Sequence, residues 1–202
     1  MNPRNLSFVA CAAVLGLASL QATGGCSSST SPTSSSDGGA TADPCFDYTG
    51  YTGMSPSSSF KNDVEPILRR ACGLSDSCHG NPLATIPNQP YLGPKTSDPA
   101  PSDADLANIV DGIVNVIGQV PTSNGGSTPI TGGMVIVKPG DPANSFMMAK
   151  LDAVPEGNVF CATYACAADA SCGVSMPSGG PQLEPDELTT IRDWIAQGAN
   201  KN

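Results

Sequence analysis

The helix-forming segments of this chain are short, and stretches rich in proline and glycine separate them. In four places apolar residues recur at intervals of three and four positions, which is the spacing of one helix face. Pro66 either kinks the first helix or marks its true start, and Ser102 with Asp105 resembles a capping box. The four apolar sets are Phe60, Val64, Ile67, Leu68 and Ala71; Leu106, Ile109, Val110, Ile113, Val114 and Ile117; Phe146, Met147 and Leu151; and Leu188, Ile191, Trp194 and Ile195.

These patterns predict a mostly α domain with three or four helices and long loops. No set of strands large enough for a sheet is visible, and residues 134–137 form only a short extended run before Pro139 and Gly140. Because the apolar content is modest, we expect a small core in which covalent ties matter. Removing a disulfide from a small exported domain typically costs about 2–5 kcal/mol.

The N-terminal segment has the features of an export signal. Arg4 precedes residues 6–20, an apolar run that is too short to span a bilayer but typical of a signal peptide. Small residues before Cys26 then resemble the bacterial lipobox, although Thr23 stands where an aliphatic residue is usual. We expect residues 1–25 to be removed and Cys26 to be lipidated. The protein would then be a membrane-anchored lipoprotein of the cell envelope, on its periplasmic or cell-surface side.

Composition divides the rest of the chain into two parts. Ser, Thr, Gly and Pro dominate residues 27–42, which have almost nothing to bury and are typical of a flexible tether. We therefore assign residues 26–58 to the lipidated cysteine and its tether, with Cys45, Phe46, Tyr48 and Tyr51 as candidates for docking on the domain. Residues 59–202 form the folded domain.

Two classes of function are disfavoured. The formal net charge of −9 repels phosphate backbones, so we expect no nucleic-acid partner. The chain has one histidine, His79, and no paired carboxylates in a recognisable acid/base context. A Ser/His/Asp arrangement would have no free base, so we predict that the protein is not an enzyme.

Six cysteines remain once Cys11 leaves with the signal and Cys26 takes the lipid. An even number in an exported chain indicates cysteines that are oxidised or otherwise occupied. Fifteen disulfide pairings are possible for six cysteines, and the sequence does not choose among them. The six are Cys45, Cys72, Cys78, Cys161, Cys166 and Cys172.

The single histidine directly follows a cysteine, in the string Cys72-Gly-Leu-Ser-Asp-Ser-Cys78-His79 at the end of the first predicted helix. Downstream come Pro-Gly-Asp-Pro at 139–142, Met176-Pro177, and a closing Trp-Ile-Ala-Gln-Gly-Ala at 194–199. In this order the pieces resemble the cytochrome c-like domains of exported bacterial lipoproteins, in particular the planctomycete-type cytochrome c. The resemblance covers roughly residues 60–199.

This resemblance implies a small helical cytochrome c-like domain that binds one haem c. Cys72 and Cys78 would form the thioether bonds to the haem vinyl groups, and His79 would bind the iron from the proximal side. Met176 would be the distal ligand, since a neutral thioether stabilises Fe(II) and raises the potential. The expected function is electron transfer in the cell envelope with a redox partner protein that the sequence does not identify.

The spacing of the two cysteines departs from this family. Five residues separate Cys72 from Cys78, where two are usual. An alternative is that the two form a disulfide in a haem-free surface lipoprotein that acts as a binding or structural module. A zinc site using both cysteines and His79 is a further possibility.

Overall fold

The computed structural model describes residues 46–83, 89–121, 126–130, 133–153, 174–178 and 182–202. The predicted signal peptide, the lipidation site at Cys26 and the low-complexity tether lie outside these ranges. Four of the remaining cysteines also lie outside them: Cys45, Cys161, Cys166 and Cys172.

Within the described ranges the fold is mixed, with a few short helices and little strand. A π-helical turn at Phe60–Val64 runs directly into α1, and the two strands β1 and β2 pair antiparallel with Val120 opposite Thr128. A single 3₁₀ turn, Pro142–Asn144, precedes α3. The elements are α1 (Glu65–Ala71), α2 (Asp103–Ile113), β1 (Gln119–Pro121), β2 (Ser127–Pro129), α3 (Phe146–Leu151) and α4 (Pro185–Ala196).

Sequence signals account for most helix starts. Pro66 lies in the first turn of α1, where its missing N–H is not needed, so it marks the start of the α-helix. The hydroxyl of Ser102 accepts from Asp105 N and the Asp105 carboxylate accepts from Ser102 N, as the predicted capping box requires. Helix α4 begins at Pro185, a residue type favoured in the first turn because its N–H is not needed there.

The second helix is shorter than its apolar pattern predicts. It ends at Ile113 because Val114 turns to extended backbone and Asn115 takes a left-handed φ of 57°. Val114 and Ile117 then form isolated bridges with Val137 and Val135, so the last part of the pattern follows a strand-like path.

One main hydrophobic core joins α1, α2, α3 and α4. Trp194 of α4 packs on Phe60 with 5.1 Å between ring centroids, and both side chains are buried. Its indole Nε1 donates to Asn200 O at 2.9 Å, which satisfies the one polar atom of the ring. The core therefore depends on contacts between the two ends of the domain.

Residues 46–58, which the sequence assigns to the tether, pack against α4. The hydroxyl of Tyr51 donates to Asp193 Oδ1 at 2.5 Å, and Met54 N donates to the same oxygen at 2.9 Å. Ser58 N donates to Gln197 Oε1 at 2.8 Å. We call residues 46–58 the strap.

None of the helices in the described ranges is long and apolar enough to cross a membrane.

Candidate functional site

The segment between the two cysteines closes into a compact loop. His79 N donates to Cys72 O at 3.0 Å, which brings the end of the segment back to the C-terminus of α1. Cys78 N and Gly80 N both donate to Ser75 O, at 3.0 and 3.2 Å. The five residues between the two cysteines, three more than usual, therefore form a turn held by backbone hydrogen bonds.

Glycine is needed where this loop closes. A Cβ on Gly80 would lie 2.7 Å from Gly73 O, closer than real Cβ atoms come to their neighbours, and 3.0 Å from Ser75 O, which is also tight. A Cβ on Gly73 would lie 3.1 Å from both Gly93 O and Pro94 O. Residues 72–80 are thus packed against the segment around Gly93.

His79 is held by that neighbouring segment through its ring and its backbone. Its Nδ1 lies 2.8 Å from Pro90 O, and Leu92 N donates to His79 O at 3.0 Å. A carbonyl oxygen only accepts, so Nδ1 carries the proton and the neutral ring has its lone pair on Nε2. The sequence does not single out Pro90, because the contact joins a helix-end loop to a segment that reads only as irregular.

Burial lowers the pKa of His79 below its usual value, and the Lys150 ammonium lowers it further, while the bond to Pro90 O opposes the shift. The neutral imidazole is therefore favoured. A neutral ring with an oriented Nδ1–H is the form in which histidine binds metals.

Lys150 belongs to this site although it lies in none of the sequence motifs. Burial lowers the pKa of its ammonium group to about 8, and its Nζ donates to Val174 O at 3.0 Å. Met176 N donates to Lys150 O at 2.9 Å. The signal for Lys150 in the sequence is that it is the one charged residue in the otherwise apolar string Phe-Met-Met-Ala-Lys-Leu of α3.

The predicted distal residue, Met176, is half-buried and packs against the main core. Its neighbours Val174 and Pro177 belong to the same short described stretch, 174–178. Lys150 thus bonds to the Met176 segment through its backbone oxygen and, besides burial, its ammonium charge lowers the pKa of His79.

The two cysteines are in different chemical states. Cys72 is a free thiol, buried in the main core, and burial raises its pKa to about 12. Cys78 is disulfide-bonded, and its partner is not Cys72. The Cys72–Cys78 disulfide of the alternative interpretation is therefore not present, since the Cys72 side chain packs into the core instead.

This donor set does not fit covalently attached haem. Attachment consumes two thiols, whereas Cys78 is in a disulfide and Cys72 is enclosed by apolar side chains. The imidazole alone is presented in a way that suits an axial ligand. Within the described ranges no group of three or more His, Cys, Asp or Glu side chains is arranged to hold a metal ion.

Cys72 should resist alkylation in the folded protein and react once the protein is unfolded. Its thiolate, the reactive form, is scarce at pH 8 because burial holds the pKa near 12. We expect iodoacetamide without reductant to label Cys72 only in denaturant, and to label Cys78 only after reduction, as read by peptide mass spectrometry. Labelling of Cys78 in unreduced, unfolded protein would contradict this assignment.

Comparison with protein-family models, curated proteins and solved structures finds no match for this chain. The likeness to cytochrome c-like domains therefore rests on the sequence motifs alone.

Proposed function

We propose that this chain is an exported, lipid-anchored protein whose mostly helical, cytochrome c-like domain works without haem, as a binding or structural module of the cell envelope. The observation that carries the proposal is the state of the two cysteines, one disulfide-bonded and the other a buried free thiol. In this proposal Cys26 holds the protein on the membrane, and residues 27–42 give the domain its reach.

The burial of Cys72 supports this proposal independently of the spacing. Its side chain lies in the same core cluster as Leu68 and Ala71, so it continues the apolar face of α1. A free cysteine in such a place behaves as a small apolar residue. Turning it towards a porphyrin would expose part of that core.

One observation favours a second candidate, a c-type cytochrome that carries electrons to an unidentified redox partner. Metal-ligating histidines usually donate their other ring N–H to a carbonyl or carboxylate, and His79 does so to Pro90 O. In this candidate the disulfide of Cys78 would be reduced and Cys72 would leave the core so that both thiols hold the haem, and His79 and Met176 would be its axial ligands. The haem would supply the one-electron chemistry.

The mass of the exported protein decides between the two. The full chain is produced in a bacterial host with a working c-type maturation system, purified from the membrane fraction, and measured as an intact protein and by its pyridine haemochrome spectrum. We expect no haemochrome and no gain of about 600 Da, the mass that covalent haem adds. Haem on the peptide containing Cys72 and Cys78 would overturn the haem-free proposal in favour of the cytochrome.

The chain offers its own matched control. Deleting residues 74–76 leaves Cys72-Gly-Ser-Cys78-His79, which has the usual two-residue spacing. Haem on this variant, but not on the natural chain, would show that the maturation system was active and that the longer loop keeps haem off. A cytochrome with standard spacing, made in parallel, checks the machinery if the deletion variant is not recovered.

A further inference from the structure

Glu65, the first residue of α1, places a carboxyl group in the interior. The residue is only 6% exposed, and its Oε1 has no hydrogen-bond partner. An ionised buried carboxylate with an unmade bond is costly, whereas a protonated carboxyl carries no net charge. The packing of α1 alone therefore does not explain why a glutamate occupies position 65.

The loop above Glu65 is the one that holds His79. A Cβ on Gly93 would lie 3.5 Å from Glu65 Oε1, so the oxygen faces the middle of this loop. We call residues 89–98 the histidine loop. Its first half supplies Pro90 O and Leu92 N to His79.

The second half of the histidine loop is fixed by Arg69, one turn along α1 from Glu65. The guanidinium donates to Lys95 O at 3.0 Å and to the carbonyl oxygens of Thr96 and Asp98. The loop is thus tied at both ends, and Glu65 lies beneath its centre. The Glu65 carboxyl faces Gly93, which has no side chain. A charge that forms on Glu65 therefore lies directly against the loop backbone.

The charged groups around Glu65 offset only part of the free-energy cost of ionising its buried carboxyl. Burial raises the pKa of the Glu65 carboxyl, and the Arg69 guanidinium opposes the shift only in part. On the facing loop, burial raises the pKa of Tyr91 first, and the charges of Asp105, Asp98 and Glu65 raise it further. Among the described residues Arg69 is the one cation whose charge acts on Glu65. The phenol of Tyr91 on the facing loop stays neutral, because its pKa is raised.

We propose that Glu65 is a proton-binding site, and that its protonated carboxyl keeps the histidine loop closed over α1 and His79 in place. When the proton leaves to water, the buried carboxylate gains stability by reaching solvent, and the loop loosens. The folded state binds this proton more tightly than the unfolded chain. Closure is therefore complete below the ordinary Glu pKa and is lost as pH rises through the raised one.

Hydrogen exchange of the exported protein between pH 5 and 8 tests this proposal. Protection factors, corrected for the intrinsic rate at each pH, are compared for peptides from the histidine loop and from α4. We expect loop protection to fall by at least about fivefold as pH rises, the low end of the cost of an unmade bond to a buried polar group. Protection in α4 should not change in parallel.

The variant E65Q keeps the shape of the protonated carboxyl and cannot ionise, so its loop protection should be independent of pH. The exposed Asp186 gives a matched control, since D186N also removes one carboxylate and should retain the pH dependence. A flat profile in the natural chain, or the same slope in E65Q, would overturn the proposal. If E65Q does not fold, the carbon NMR titration of Glu65 in the natural chain decides, and a pKa at or below the ordinary value would refute it. These outcomes do not depend on whether haem is bound.

Discussion

Replacing Arg192 by methionine should lower the free energy of unfolding by about 3–5 kcal/mol, the usual cost of leaving a buried charge without its partner. Arg192 Nη2 lies 2.5 Å from Asp152 Oδ1, and the two side chains are only 8% and 4% exposed. The same guanidinium donates to Tyr48 Oη and lies 4.0 Å from the ring centroid of Phe46. R192M would thus remove the contacts that Arg192 makes with the end of α3 and with the strap, while the bonds of Tyr51, Met54 and Ser58 to α4 remain.

Urea denaturation of the exported domain measures this loss, and two further variants give it meaning. K61M removes a pair with Asp103 whose side chains are 53% and 83% exposed, and should cost at most about 1 kcal/mol. Adding D152L to R192M should recover part of the stability, because it removes the buried carboxylate that has lost its cation, while the hydroxyl of Tyr48 loses its acceptor. A loss for R192M no larger than that for K61M would contradict the interpretation.

The contacts of the strap show why composition alone does not locate the start of the folded domain. Residues 46–58 are rich in Ser, Pro and Gly, and local composition favours a linker. Their order comes from partners far along the chain, since Tyr51 and Met54 both bind Asp193. Three aromatic rings, those of Phe46, Tyr48 and Tyr51, pack edge to face, and Arg192 lies over one of them.

Helix positions were predictable to the extent that local signals decide them. The capping box at Ser102 and the proline at position 185 fix two helix starts through contacts within one turn. The end of α2 was not predictable, because it depends on Val137 and Val135, which lie 23 and 18 residues further along the chain than their partners Val114 and Ile117. An apolar periodicity of 3.6 cannot distinguish a last helical turn from a short extended edge.

The residues of the candidate site likewise fall into those that the sequence marks and those that it does not. His79 stood out because it is the only histidine and follows a cysteine. Pro90 and Lys150 did not, because the first acts through its backbone oxygen and the second through burial in a short helix. The free state of Cys72 follows from its place on the apolar face of α1, a pattern that the cysteine motif obscured.

A methyl group added at Gly80 should destabilise the domain, whereas the same group added at Gly112 should stabilise it. At Gly80 the new Cβ would meet two backbone oxygens, those of Gly73 and Ser75, which cannot rotate away. Overpacking of this kind costs about 1–3 kcal/mol. The strain would fall on the loop between Cys72 and His79, so we expect the imidazole NMR signals of His79 to shift as well.

Gly112 lies within α2 and has nothing within 4 Å of an added Cβ. Alanine there removes the entropic penalty of glycine in a helix and should raise the free energy of unfolding by about 0.5–1 kcal/mol. Because both variants add one methyl group, the difference between their urea midpoints isolates the effect of the surroundings. Equal stability of G80A and G112A, with His79 unshifted, would mean that the cysteine–histidine loop is looser than its hydrogen bonds to Ser75 and Cys72 indicate.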